Sequence, residues 1–278
     1  MEGKETQREK HFVLVHGACH GAWCWYKVAT LLKSSGYKVT ALDMAAAGVH
    51  PKQPQELNSI VEYVEPLFEF FEGLAQGEKV TLVGHSMGGV VISMAMERFP
   101  EKIAVAVFVA AIMYGPKLSV TSAYEELTAV ICVLLANTQY GRRMDSAMDT
   151  KYAFDDGPEK PATSMLFGYN FLASKLYQLS PPEDLTLASV LVRPLRMFPD
   201  KSRFKAEATV TTAKYGSVRR VYIVCDKDLV IKEDLQRWMI EIDPTDEVCV
   251  IPNSDHMVMF SKPLEFCSTL QQIAENYS

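Results

Sequence analysis

The sequence predicts an α/β fold: a mostly parallel central sheet flanked by helices, with a helical cap inserted into it. Two observations carry this. Short apolar runs alternate with amphipathic helical segments over the first 111 residues, and the same alternation returns after about residue 219. Strands joined through helices imply βαβ crossovers and hence parallel pairing. Between the two halves the alternation stops, which marks an insertion. A chain of 278 residues is long for one domain against a prior of about 150, but ordinary for a single α/β unit.

The elements follow in order. His11-Phe12-Val13-Leu14-Val15 is an apolar run ending in His16-Gly17, a buried parallel strand. Trp25 to Ser35 places apolar residues at 25, 28, 29, 31 and 32, a helical face that Gly36 stops. Tyr37 to Leu42 is a second strand, Ser59 to Ala75 an amphipathic helix, and Val80 to Val83 a third strand. Met87 to Phe99 is a helix closed by Pro100, and Ile103 to Ala111 a fourth strand. Residues 114 to about 195 show no clear strand, only Pro-bounded helical pieces rich in Met, Leu, Phe and Tyr. The rhythm resumes with a strand at Arg219 to Cys225, a helix near Lys232 to Ile240, a strand at Glu247 to Ile251 and a helix from Pro263 to Tyr277. The predicted organisation is a core of residues 11–113 and 196–278, a cap of residues 114–195 and a polar tail of residues 1–10.

Composition narrows the function. The net charge is −6 and no run of Lys or Arg exceeds two, which argues against a nucleic-acid surface. The longest apolar run, Ile103 to Tyr114, has twelve residues against the roughly 18 needed to cross a bilayer, so no membrane partner is expected. Six charges in the first ten residues leave no apolar h-region for a signal peptide. The six cysteines show neither a CxxC pair nor zinc spacing. The expectation is a cytoplasmic, reducing setting with no disulfide, metal or cofactor.

Gly84-His85-Ser86-Met87-Gly88 fits G-x-S-x-G. The pentapeptide is weak alone, but here it directly follows an apolar strand and opens a helix, the setting a nucleophile elbow requires. Ser86 then sits at the positive end of a helix, where developing negative charge is favoured. A serine hydroxyl needs a base, and the base needs a third group to fix its tautomer. Of six histidines, His11 starts a strand, His50 lies in a polar loop, and His85 lies inside the elbow; His16 and His20 follow the first strand. His256 follows the last strand by a short loop, at the sheet's carboxyl edge. The chain order Ser, acid, His of α/β-hydrolases places the acid after the preceding strand, where both Asp226 and Asp228 lie. Asp255 adjoins His256 and is badly placed to reach its Nδ1. An oxyanion hole needs two backbone N–H groups; Met87 supplies one, and Ala18, in the His16-Gly17-Ala18 loop, the other.

His11 to Trp23, Val39-Thr40-Ala41-Leu42-Asp43, Leu82-Val83-Gly84-His85-Ser86 and Tyr215-Gly216-Ser217-Val218 together resemble the plant methylesterases. That family includes methyl salicylate and polyneuridine aldehyde esterases, with hydroxynitrile lyases and methylketone synthase as relatives. The resemblance covers about His11 to Tyr277. It implies the α/β-hydrolase fold, a triad of Ser86, Asp228 and His256, oxyanion amides at Ala18 and Met87, and a homodimer. Gly17, His85 and Met257 are the implied substrate-binding positions. Lyase relatives carry Thr at the position of Gly17 and Lys at that of Met257, so these departures favour an esterase; methylketone synthase lacks the serine nucleophile that Ser86 supplies.

The expected function is therefore serine carboxylesterase action on the methyl ester of a plant hormone or specialised metabolite, a small-molecule partner with an apolar body. A bulky alkaloid-type ester is expected from the divergent cap stretch Val130 to Pro158, with its Arg142-Arg143 and Asp155-Asp156 pairs, and decarboxylation of a β-carbonyl acid product would follow. Rival readings are a decarboxylase or lyase that reuses the pocket and a small-molecule receptor on a hydrolase scaffold. Turnover separates these.

Overall fold

The computed structural model describes residues 10–123, 126 and 148–277. Residues 1–9 of the tail, Cys132 and the Arg142-Arg143 pair lie outside the described residues. Six strands form one parallel sheet: β1 (His11–Val15), β2 (Lys38–Leu42), β3 (Val80–His85), β4 (Ile103–Val109), β8 (Arg220–Cys225) and β9 (Glu247–Ile251), in the order β2-β1-β3-β4-β8-β9. The register aligns Val15 with Gly84, His85 with Val109 and Cys225 with Ile251. The loops after β1, β3, β8 and β9 therefore leave the sheet along one edge. The chain runs outward from β1 to β2 and then returns to the other side of β1 as β3, so the carboxyl ends of β1 and β3 flank a switch point. Crevices at such points are where open α/β sheets bind ligands.

Both faces of the sheet are covered, which is why its strands read as unbroken apolar runs. Side chains alternate between the faces. Phe12, Leu14, Val83, Val107 and Ile223 pack with α1 (Tyr26–Ser34) and α8 (Pro263–Asn276) on one side. Val13, Val15, Leu82, Phe108 and Tyr222 pack with α2 (Ile60–Gly73), α3 (Gly88–Arg98) and α6 (Glu233–Ile242) on the other. α2 starts one residue inside its predicted span because Ser59 is its N-cap, the hydroxyl accepting from Glu62 N–H at 3.2 Å.

The segment between β4 and β8 departs from its predicted strand-free character. It holds a three-stranded antiparallel sheet of β5 (Lys151–Ala153), β6 (Ser164–Leu166) and β7 (Leu195–Arg196). These strands are too short to show a period of two, and β6 pairs with a partner about thirty residues away, so no local pattern announces them. Asp155 helps close the β5–β6 connection by accepting from Thr163 Oγ1 at 2.6 Å. After it come a helical piece at Tyr169–Phe171, a π turn at Leu172–Leu176, α4 (Pro182–Leu191) and α5 (Lys201–Glu207); a short helix α7 (Val258–Ser261) precedes α8. Among the described residues no helix is long and apolar enough to cross a membrane. The five described cysteines, at 19, 24, 225, 249 and 267, are free thiols.

Candidate active site

Four strand ends converge at the carboxyl edge. Ser86 follows β3 with a left-handed backbone, φ +55°, a conformation that costs energy for a residue with a Cβ. Its surroundings hold it there. Ser86 N–H donates to the Val109 carbonyl at 3.2 Å, and the Ser86 carbonyl accepts from Gly89 and Ile112 N–H at 3.0 Å each. α3 begins at Gly88, so the serine stands at that helix's positive end. A Cβ on Gly84 would lie 2.7 Å from the Gly88 carbonyl oxygen, and one on Gly88 2.7 Å from the Val15 carbonyl oxygen. The glycines of the motif are there because strand, turn and helix touch backbone to backbone.

The loops after β8 and β9 bring an acid and an imidazole together. Asp228 Oδ2 lies 2.7 Å from His256 Nδ1, and Asp228 Oδ1 accepts from Val230 and Ile231 N–H at 2.7 and 3.0 Å. Both residues are buried. A carboxylate only accepts, so Nδ1 carries the proton and His256 Nε2 keeps a lone pair. Asp226 turns elsewhere: it accepts from Ser254 N–H at 3.3 Å and pairs with Lys227 at 3.1 Å. Asp255 also does not meet the ring. It is fully buried, accepts from Leu179 N–H and the Ser180 hydroxyl at 2.9 and 2.8 Å, and holds Met257 N–H at 3.0 Å. Burial pushes its carboxyl above the usual range.

The loop after β1 faces Ser86. A Cβ on Gly17 would come within 2.9 Å of Ser86 Cβ, so only glycine lets the loop pack this close. His16 steadies what glycine leaves free. Its Nε2 accepts from Met44 N–H at 3.1 Å, and its Nδ1–H donates to the Gly17 carbonyl at 2.8 Å. In a trans peptide the C=O and N–H point in opposite directions. Fixing the Gly17 carbonyl therefore fixes the direction of Ala18 N–H. Among the described residues, neither Ala18 N–H nor Met87 N–H has a protein acceptor. His20 Nδ1–H donates to the Ala18 carbonyl at 2.8 Å, while Tyr177 OH donates to His20 Nε2 at 2.7 Å. Burial drives the His16 pKa below its ordinary value and that of His20 down to about 3, so both rings are neutral.

The remaining predicted positions are placed as follows. Gly17 lies against Ser86, whereas His85 and Met257 are wholly buried. His85 Nε2–H donates to the His256 carbonyl at 2.7 Å. His11 bonds Thr40 Oγ1 at 2.8 Å and His50 Nδ1 accepts from Ala46 and Lys52 N–H at 3.2 Å each, structural positions both. Sequence reasoning missed Tyr177 and Arg193. Arg193 N–H donates to the Cys19 carbonyl at 2.9 Å, and its guanidinium donates to the carbonyls of Gly48, His50 and Lys52 at 3.0, 2.7 and 3.0 Å. Each acts on residues more than a hundred positions away, so neither has a local signal.

With this geometry in view, comparison with known proteins is direct. Residues 12–269 match the model of the alpha/beta hydrolase family. The chain is 59% identical to methyl jasmonate esterase 1 of Vitis vinifera over 272 residues, covering 98% of this chain and 99% of that one. It superposes on tomato methylketone synthase I complexed with 2-tridecanone with a TM-score of 0.89 at 43% identity, covering 97% and 99%. It also superposes on polyneuridine aldehyde esterase with a TM-score of 0.84 at 39% identity, covering 96% and 100%. The parallel sheet with its serine elbow and the full-length likeness agree: the chain belongs to the plant methylesterase family of α/β-hydrolases, a family of carboxylic ester hydrolases.

Proposed function

We propose that this protein is a serine carboxylesterase that cleaves the methyl ester of a plant hormone or specialised metabolite through an acyl-enzyme. The observation that carries this reading is the 2.7 Å contact of Asp228 with His256 Nδ1, on the same sheet edge as a serine in a strained elbow. His256 Nε2 takes the Ser86 proton as Oγ attacks the ester carbon. Negative charge gathers on the former carbonyl oxygen, which Ala18 and Met87 N–H stabilise. The C–O bond to methoxide then breaks, and the imidazolium returns its proton to release methanol. Water, deprotonated by the same histidine, attacks the acyl-enzyme; its collapse frees the acid and restores Ser86.

The similarity to a methyl jasmonate esterase makes methyl jasmonate the first substrate to test. The similarity to polyneuridine aldehyde esterase supports a second reading, a bulkier ester with a carbonyl β to the ester carbon. Hydrolysis of such a substrate leaves an acid that loses carbon dioxide as an enolate, and the same two amides would stabilise that oxyanion. Incubation with methyl jasmonate, methyl salicylate, methyl indole acetate and an alkaloid β-carbonyl methyl ester, followed by mass spectrometry, separates the readings. Methanol release alone means hydrolysis; methanol with carbon dioxide means both steps. Binding of all four without methanol release would leave a receptor.

A further inference from the structure

The histidine inside the elbow is wholly buried and takes no part in the chemistry above. Its ring is fixed on three sides. Nε2–H donates to the His256 carbonyl at 2.7 Å, the ring lies 4.7 Å from that of His256 at a 54° tilt, and Trp25 packs against it edge-on with centroids 6.3 Å apart. A carbonyl accepts only, so the tautomer is Nε2–H. The other nitrogen, Nδ1, is buried without a hydrogen-bond partner among the described residues and lies 3.1 Å from where a Cβ on Gly17 would stand. Burial, and then the proximity of His256, hold its pKa well below the ordinary value, so the ring does not compete for the proton that His256 carries during turnover.

We propose that His85 is a positioning residue that holds His256 in register with Ser86, and not a contact for the substrate. Asp228 fixes the His256 ring, but the backbone bearing that ring comes from the loop after β9, three strands away from β3 in the sheet. Without a tie, that loop could shift relative to the elbow while the acid and histidine moved together. His85 supplies the tie because it is joined covalently to Ser86 and bonded to the His256 carbonyl. One bond thus sets nucleophile and base in a single frame. A shift of about 1 Å between such groups costs on the order of 10²-fold in rate.

This inference rests on the assignment of His256 as the base, and the test keeps the two apart. In His85→Gln the amide nitrogen falls near the place of imidazole Nε2 and keeps the donor. In His85→Asn it falls near the place of Nδ1, too far back to reach the carbonyl. His85→Asn is expected to lower kcat by about 10²-fold with KM little changed, and His85→Gln to recover most of that loss. Equal activity in the two variants, or a loss confined to KM, overturns the proposal. Histidine ¹⁵N NMR on the wild-type protein checks it independently of how either variant folds. One ring should stay in the Nε2–H form from pH 8 to 5, and a titrating or Nδ1–H ring at His85 overturns the proposal. Should His256→Ala retain turnover, the base assignment itself fails; should it abolish turnover while His85→Asn keeps its kcat, only the role of His85 fails.

Discussion

Ser86 and the two carboxylates after β8 allow the sharpest tests of the proposed chemistry. Ser86→Ala removes the proposed nucleophile but none of the bonds that hold the elbow, since those run through its N–H and carbonyl. Turnover of the active ester should fall by several orders of magnitude with the melting temperature little changed. Retention of a tenth of wild-type activity would rule out this serine. Asp228→Asn exchanges an acceptor facing Nδ1 for a group that can also donate, leaving His256 in the wrong tautomer; a loss of about 10³ to 10⁴ in kcat is expected. Asp226→Asn alters contacts with Ser254, Lys227 and the Asn253 backbone and should leave kcat within a fewfold of wild type. A larger effect from Asp226 than from Asp228 would exchange their roles.

The elements around the site are tied to one another at a few points. Asp184, fully buried on α4, accepts from Tyr26 OH at 2.8 Å and Lys27 Nζ at 2.5 Å, joining the inserted segment to the start of α1. Lys27 is partly exposed, so removing its partner lets the ammonium rehydrate and the loss falls short of that for a dry ion pair. Asp184→Ala should lower unfolding stability by about 1–2 kcal/mol in a urea titration; no change in the midpoint would show that the contact is idle. Gly88→Ala is a stronger perturbation. The new methyl group meets the Val15 and His16 carbonyls at 2.7 and 2.9 Å and must push α3 away from β1. Stability should drop by about 1–3 kcal/mol and activity with it, because both faces of the site move apart. Wild-type activity in Gly88→Ala would mean the elbow tolerates that displacement.

At the scale of the whole molecule, three of the buried histidines, His16, His20 and His85, make folding sensitive to acid. Burial lowers the pKa of His16, His20 and His85 in the folded chain, that of His20 to about 3. The unfolded chain takes up protons near pH 6.5 and the folded chain does not. Their contribution is present above the unfolded value and is lost as pH falls through the window between 6.5 and the folded values. Each fully engaged ring removes roughly 1.4 kcal/mol per pH unit. Asp255 has the opposite sign: its raised pKa adds stability at low pH, near the carboxylate range. The melting temperature should therefore fall steadily from pH 7 to 5, and His20→Gln should flatten that slope by about one proton. A flat wild-type curve over this interval would contradict the neutral assignment.

The parallel sheet, the elbow at Ser86 and the place of His256 after the last strand were legible in the sequence. Each leaves a local trace: apolar runs where both faces are covered, a helical period between them, and glycines where Gly84 and Gly88 let backbones touch. The choice between Asp226 and Asp228 left no such trace in the residues alone, because both follow β8 and only the path of the loop aims one of them at His256. The strands β5, β6 and β7 were hidden for the same reason, being held by pairing and not by pattern. His85 is the clearest case. The sequence shows a histidine beside a serine, while its partner is a carbonyl 171 residues away. Local order is written in neighbouring residues, but a hydrogen bond between distant segments exists only once the sheet has brought their loops to one edge.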